Sequence, residues 1–171
     1  MNDMDNQGIP TVSELLARQF KFARDSTITL LHEFNEETAR WQPTPHNNNA
    51  LWLAGHLLIS TGDFREMLGW AAREDGPEVD QDFNMGGFYK KDKEYPSFIE
   101  FANALIAERD DIIKAIKGMT AENLSKQTEG PLKELCPQHA DLVSLMIAHE
   151  NIHNGQMYFL RRGLGMEPLI K

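Results

Sequence analysis

The chain has 171 residues, 41% hydrophobic and 25% charged, which suits one domain, residues 1–171, with one substantial core. Its net charge of −9, from 26 acidic and 17 basic residues, excludes the electrostatic footprint of a general nucleic-acid binder. Cys136 is the only cysteine, so no intrachain disulfide forms, and no apolar run is long enough to cross a membrane.

Met1 to Pro10 is polar and acidic without an apolar signal core, and reads as a short flexible leader of a cytoplasmic protein. The first helix opens at Thr11-Val12-Ser13-Glu14, a capping box directly after Pro10. Its expected apolar stripe is Val12, Leu15, Phe22, Ile28 to Leu31 and Phe34, ending near Glu37. Trp41 to Asn48 carries two prolines and predicts a loop. The second helix is expected from Asn49 to Ala72. Asn49, Trp52, Leu53, His56, Ile59, Ser60, Asp63, Met67 and Trp70 share one face, so His56 stands in a mainly apolar stripe.

Glu74 to Pro96 is a long connection interrupted by Gly76-Pro77 and Gly86-Gly87, a length that suits a segment that covers a site or is disordered. Its Lys90, Lys91 and Lys93, diluted by Asp92 and Glu94, read as a solvated basic cluster. The third helix starts at a second capping box, Ser97 to Glu100, and runs to Gly118, with a short helical turn after Thr120. Cys136 precedes the last helix, where a thiol pKa can be lowered, although an inert structural cysteine is the ordinary outcome. That helix is expected from Pro137–Asp141 to the Gly163-Leu164-Gly165 stop. Its inward stripe is Leu142, Leu145, Met146, His149, Ile152, His153, Gln156 and Leu160. No stretch alternates as a strand does, so the chain reads as an all-α four-helix bundle.

His149 and His153 lie four residues apart, which puts both imidazoles on one helix face about 6 Å apart. His56 occupies the centre of a second inward stripe. Burying three imidazoles without partners costs several kcal/mol, roughly, in desolvated polar atoms, whereas one shared metal satisfies all three. Gln156, Ser60 and Asp63 on the same faces then read as groups that orient the rings. A water-filled polar seam is the alternative. Three protein ligands leave an open position, the arrangement of a catalytic site, and imidazole suits zinc, nickel, iron and copper. His32, His46 and His139 fall outside this pattern.

His149-Glu150-Asn151-Ile152-His153 also spells H-E-x-x-H, the zinc-protease signature in which the glutamate is general base. The metzincin ligand position, six residues on, is Phe159, and no strand is available to hold a peptide substrate. Glu150 points about 100° from His149 on a helical wheel. A metalloprotease is therefore not expected, and Glu150 is only a weak catalytic candidate beside a metal-bound water or thiolate.

The run Asn49-Ala50-Leu51-Trp52-Leu53-Ala54-Gly55-His56-Leu57-Leu58, with His149-x-x-x-His153-Asn154-Gly155-Gln156-Met157 and Leu160-Arg161-Arg162, resembles the DinB/YfiT-like superfamily. The likeness extends over nearly the whole chain, including the Trp41-x-Pro43 loop. It implies an up-down-down-up four-helix bundle, commonly a homodimer, with one divalent metal on His56, His149 and His153. Similar proteins include thiol-dependent S-transferases, a maleylpyruvate isomerase and proteins called metal-dependent hydrolases. The resemblance thus implies an enzyme that activates a low-molecular-weight thiol, or a water, against a small-molecule substrate. A non-enzymatic, dimeric metal-binding interaction module is the alternative.

Overall fold

A computed structural model describes residues 9–169. Of the expected leader, residues 1–8 lie outside the described residues. The elements are α1 (Val12–Leu31), a 3₁₀ turn (Thr38–Arg40), α2 (Ala50–Met67), a 3₁₀ turn (Gln81–Phe83), α3 (Phe98–Ala107), α4 (Arg109–Lys117), α5 (Ala121–Ser125) and α6 (His139–Gly163). Among the described residues there is no strand, only an isolated bridge between Gln127 and Gln138. No helix among them is long and apolar enough to cross a membrane.

The helix starts lie where local chemistry puts them. Thr11 Oγ1 accepts from Glu14 N at 3.2 Å while the Glu14 carboxylate accepts from Thr11 N at 2.9 Å. Ser97 and Glu100 repeat the arrangement, and Asn49 Oδ1 caps α2 through Trp52 N at 2.9 Å. The ends needed the third dimension. α1 stops at Leu31, short of the expected Glu37, because Asn35 Oδ1 takes the amides of Glu37 and Thr38 into a competing turn. α2 stops at Met67 rather than Ala72. Gly69 adopts φ +68° and the amides of Gly69 and Trp70 return to Glu66 O and Arg65 O, the Schellman closure.

α3 and α4 together occupy the expected third helix, broken at Glu108. The cause is a foreign donor: Arg24 Nη1 hydrogen-bonds Leu105 O at 2.9 Å, occupying a carbonyl that an unbroken helix would give to Arg109 N. With α3–α4 counted as one rod, four rods form a ring in which α1 packs on α6, α6 on α2, α2 on α3, and α4 back on α1. Cross-links set the directions. Arg24–Glu150 and Glu33–Arg161 make α1 and α6 parallel. Glu36–Phe98 and Asp25–Arg109 make the third rod antiparallel to α1. His56 beside His153, with Phe64 nearer His149, makes α2 antiparallel to α6.

The core is two apolar clusters with a polar layer between them. One holds Trp52, Leu57, Phe83, Phe98, Phe101, Leu105 and Met157; the other holds Phe20, Phe64, Ile112, Leu142 and Met146. Each rod contributes to the layer between: Arg24 and Thr27, Thr61, Glu108, and Glu150 with Asn154, all buried. Arg24 donates to both oxygens of Glu150 at 2.7 and 3.2 Å, to Glu108 at 3.1 Å, to Leu105 O and to Thr61 Oγ1. All five guanidinium hydrogens therefore have acceptors.

This layer corrects two expected stripes. Val12, Leu15 and Phe22 are exposed, and α1 instead buries Leu16, Phe20, Ala23, Arg24, Thr27 and Leu31. On α6, Ile152 is exposed and Glu150 is buried. Apolar side chains occur on two faces of α1, and the buried ion pairs decide which face turns inward.

Arg24→Ala would leave Glu108 and Glu150 buried without their counter-charge. A loss of about 3–5 kcal/mol is expected, measured by urea unfolding as a shift in midpoint with little change in slope.

Candidate metal centre

His56 projects from α2, and His149 and His153 from successive turns of α6. The ring packs closely: centroids lie 5.0 Å apart for His56–His149, 4.7 Å for His56–His153 and 4.4 Å for His149–His153. His149 Nε2 stands 3.1 Å from His56 Nε2 and 3.0 Å from His153 Nε2.

The outer nitrogens explain why the inner ones converge. His56 Nδ1 lies 2.6 Å from Phe83 O, an atom that can only accept, so the proton is on Nδ1 and Nε2 keeps its lone pair. His153 Nδ1 is held in the same way by Gln156 Oε1 at 2.7 Å. Two lone pairs thus aim at His149 Nε2, which carries at most one proton. A protein-only cluster cannot satisfy that arrangement, whereas a cation accepts from all three. Metal–nitrogen bonds of about 2.0–2.1 Å put ligand nitrogens roughly 2.9 Å apart at right angles and 3.3–3.4 Å apart in a tetrahedron. The observed 3.0 and 3.1 Å fall between those values. The residues present fit a divalent ion.

Burial pushes all three imidazoles towards the neutral form. His149 drops to about 4, first from burial and then from the charges of His153 and His56. His56 is lowered by burial against the pull of the Phe83 carbonyl, and His153 by burial against Gln156 and Glu150. Neutral rings at pH 7 are the form that binds metal. His149 is the least enclosed of the three, so the cluster opens on its side.

The residues expected to orient the rings divide. Gln156 contacts His153. Ser60 is half-buried and Asp63 exposed, and neither is hydrogen-bonded to a histidine among the described residues. Glu150 is not a loose flanking acid: it is 2% exposed, and Arg24 and Thr27 occupy its oxygens. His32 and His46 are exposed and His139 is buried at the start of α6, all apart from the cluster. Cys136 is buried, and burial pushes its thiol pKa up, which removes the reactive-thiol reading.

The loop supplies what sequence reading missed. Phe83 is fully buried, and its carbonyl and that of Asp82 serve two residues of α2: His56, and Trp52, whose Nε1 donates to Asp82 O at 2.8 Å. Trp52 stacks on His56 at 4.6 Å and 13°. Lys90, Lys93 and Tyr95 converge on the Asp82 carboxylate at 2.5, 2.8 and 2.9 Å, so the basic cluster is partly an internal clamp. Gly55 permits this approach, since a Cβ there would come within 2.5 Å of the Phe83 ring. A glycine inside a helix, directly before a histidine, was the available signal.

The molecule is thus a helical bundle with three histidines gathered from its second and last rods. The chain belongs to the DinB superfamily, whose family model matches residues 19–157. A DinB-like protein from Bacillus cereus ATCC 10987, known from its crystal structure, superposes with a TM-score of 0.67 at 19% identity, over 91% of this chain and 95% of that one. No curated protein matches the sequence.

Gly55→Ala should push the Phe83 ring away and loosen the His56–Phe83 bond. Overpacking of this kind costs about 1–3 kcal/mol. Thermal unfolding checks the loss, and the His56 Nδ1–H resonance in NMR should shift or broaden; an unperturbed resonance at full stability would show that the ring gives way freely.

Proposed function

We propose that the chain is a divalent-metal enzyme in which His56, His149 and His153 hold one zinc, nickel or iron ion. It would transfer a low-molecular-weight thiol to a small electrophilic substrate. The observation that carries the proposal is the gathering of three imidazoles whose ligand nitrogens lie within 4.8 Å of one another, two of the pairs at 3.0 and 3.1 Å, with His149 towards the outside. When bound, the ion supplies Lewis acidity that lowers the pKa of a thiol or water in its open position.

The chain's own residues prepare that position. Phe83 O and Gln156 Oε1 hold the protons of His56 and His153 on the outer nitrogens, which keeps the inner lone pairs available. Trp52 fixes the plane of His56 by stacking. Ser60 and Asp63, one and two turns along α2 from His56, would meet the substrate rather than the rings. The loop before Pro96 would shape the pocket. Glu150 is excluded as general base, because its carboxylate is enclosed in the Arg24 layer. With that base gone and no strand edge among the described residues, proteolysis has no support.

The resemblance to thiol-dependent S-transferases slightly favours thiol transfer over hydrolysis, and a thiol-dependence assay separates them. Turnover of electrophilic substrates should require a thiol; hydrolysis that ignores every thiol tested would replace this reading. After dialysis against a weak chelator, about one equivalent of metal per chain should remain. His153→Ala should lose it, together with the stability that bound metal adds. Unchanged metal content in that variant would contradict the site.

A further inference from the structure

A cleft of about 700 Å³ lies towards the start of α6, away from His56, His149 and His153. The C-terminal turn of α2, α4, α5 and His139 wall it. Ten residues of α6 separate His139 from His149, a distance of about 15 Å. Arg65, 8% exposed, lines this cleft, and the protein uses little of its guanidinium. Nη1 donates to Ala71 O at 2.9 Å, while Nε is buried without a hydrogen-bond partner. Glu108 reaches Nε only at 4.0 Å, and its other oxygen is engaged by Arg24. A buried donor without an acceptor bears the full desolvation cost of the group, and native structures rarely leave one so.

The rest of the wall has matching character. Lys114 and Lys126 are exposed on it, and neither belongs to an ion pair among the described residues. Asp111 is the one carboxylate among the lining residues, so two lysines and Arg65, which Glu108 approaches from behind at 4.0 Å, gather on a chain of net charge −9. Trp70 and Met119 add apolar surface beside them.

We infer that this cleft binds a small organic oxyanion, a carboxylate or phosphate carried on an apolar or aromatic body. Arg65 Nη2, the one guanidinium nitrogen that is neither hydrogen-bonded nor fully buried, suits an oxyanion, the two lysines neutralise it, and Trp70 with Met119 covers the body. The site is separate from the histidines and takes its ligand by charge rather than by metal coordination.

The test titrates the full chain with phenyl phosphate and with benzoate, following calorimetric heat and the tryptophan fluorescence, to which Trp70 contributes with Trp41 and Trp52. Phenol and inorganic phosphate are the controls. Saturable one-to-one binding is expected for at least one aromatic anion, at least tenfold tighter than phenol, and whichever anion binds identifies the headgroup. The double variant Lys114→Gln/Lys126→Gln, altered only at exposed positions, should weaken binding at least tenfold with unchanged metal content. Arg65→Lys should weaken it as well, and binding should persist in His153→Ala. No saturation by about 10 mM ligand, equal binding of phenol, an unaffected lysine variant, or loss of binding in His153→Ala would each overturn the inference.

Discussion

Arg24 is fully buried at the centre of the bundle, where it holds all four rods in register. A guanidinium stripped of water costs several kcal/mol, roughly, unless every donor finds an acceptor. Here the acceptors come from all three other rods: Glu150 of α6, Thr61 of α2, and Leu105 and Glu108 at the break between α3 and α4. One side chain therefore sets the roll of its own helix, interrupts the third rod and fixes the rotational setting of α6. At 100° per residue, turning Glu150 towards α1 carries positions 149 and 153 to the same neighbouring face. That face meets α2, where His56 stands. The central acid of the H-E-x-x-H run thus aims the two histidines, its own oxygens being engaged by Arg24 and Thr27.

A second layer of control comes from irregular backbone. The carbonyls of Asp82 and Phe83 could have been spent in a helix; in a 3₁₀ turn they are free to accept from Trp52 and His56. The Asp82 side chain ties that turn to Lys90, Lys93 and Tyr95, which pull its carboxyl well below the usual range through their hydrogen bonds. The connection is long because it must cross over the second rod and present main-chain acceptors to it. Its glycines serve the same end. Gly86, at φ +83°, reverses the chain just beyond Phe83.

What the sequence discloses is what acts locally or periodically. The capping boxes at Thr11 and Ser97 involve residues three apart, and both form. The all-helical architecture follows from apolar periodicity, and the grouping of His56 with His149 and His153 follows from inward stripes. The remainder depends on partners distant in the chain. Nothing around Arg24 announces that Glu150, 126 residues away, will bury it, so Leu15 and Phe22 looked as suited to the core as Leu16 and Phe20. For the same reason the break at Glu108 was invisible, since a residue of α1 causes it. The Phe83 carbonyl was hidden too, because a backbone acceptor has no sequence signature except the glycine that makes room for it.

X-ray absorption at the metal edge of the purified, metal-loaded protein tests the central claim most directly. Three imidazole nitrogens at about 2.0–2.1 Å are expected, with the remaining coordination supplied by exchangeable light atoms. In His153→Ala the same spectrum should lose one imidazole or vanish with the metal. A shell without imidazole scattering, or one unchanged by the substitution, would leave the three histidines as a polar seam between α2 and α6.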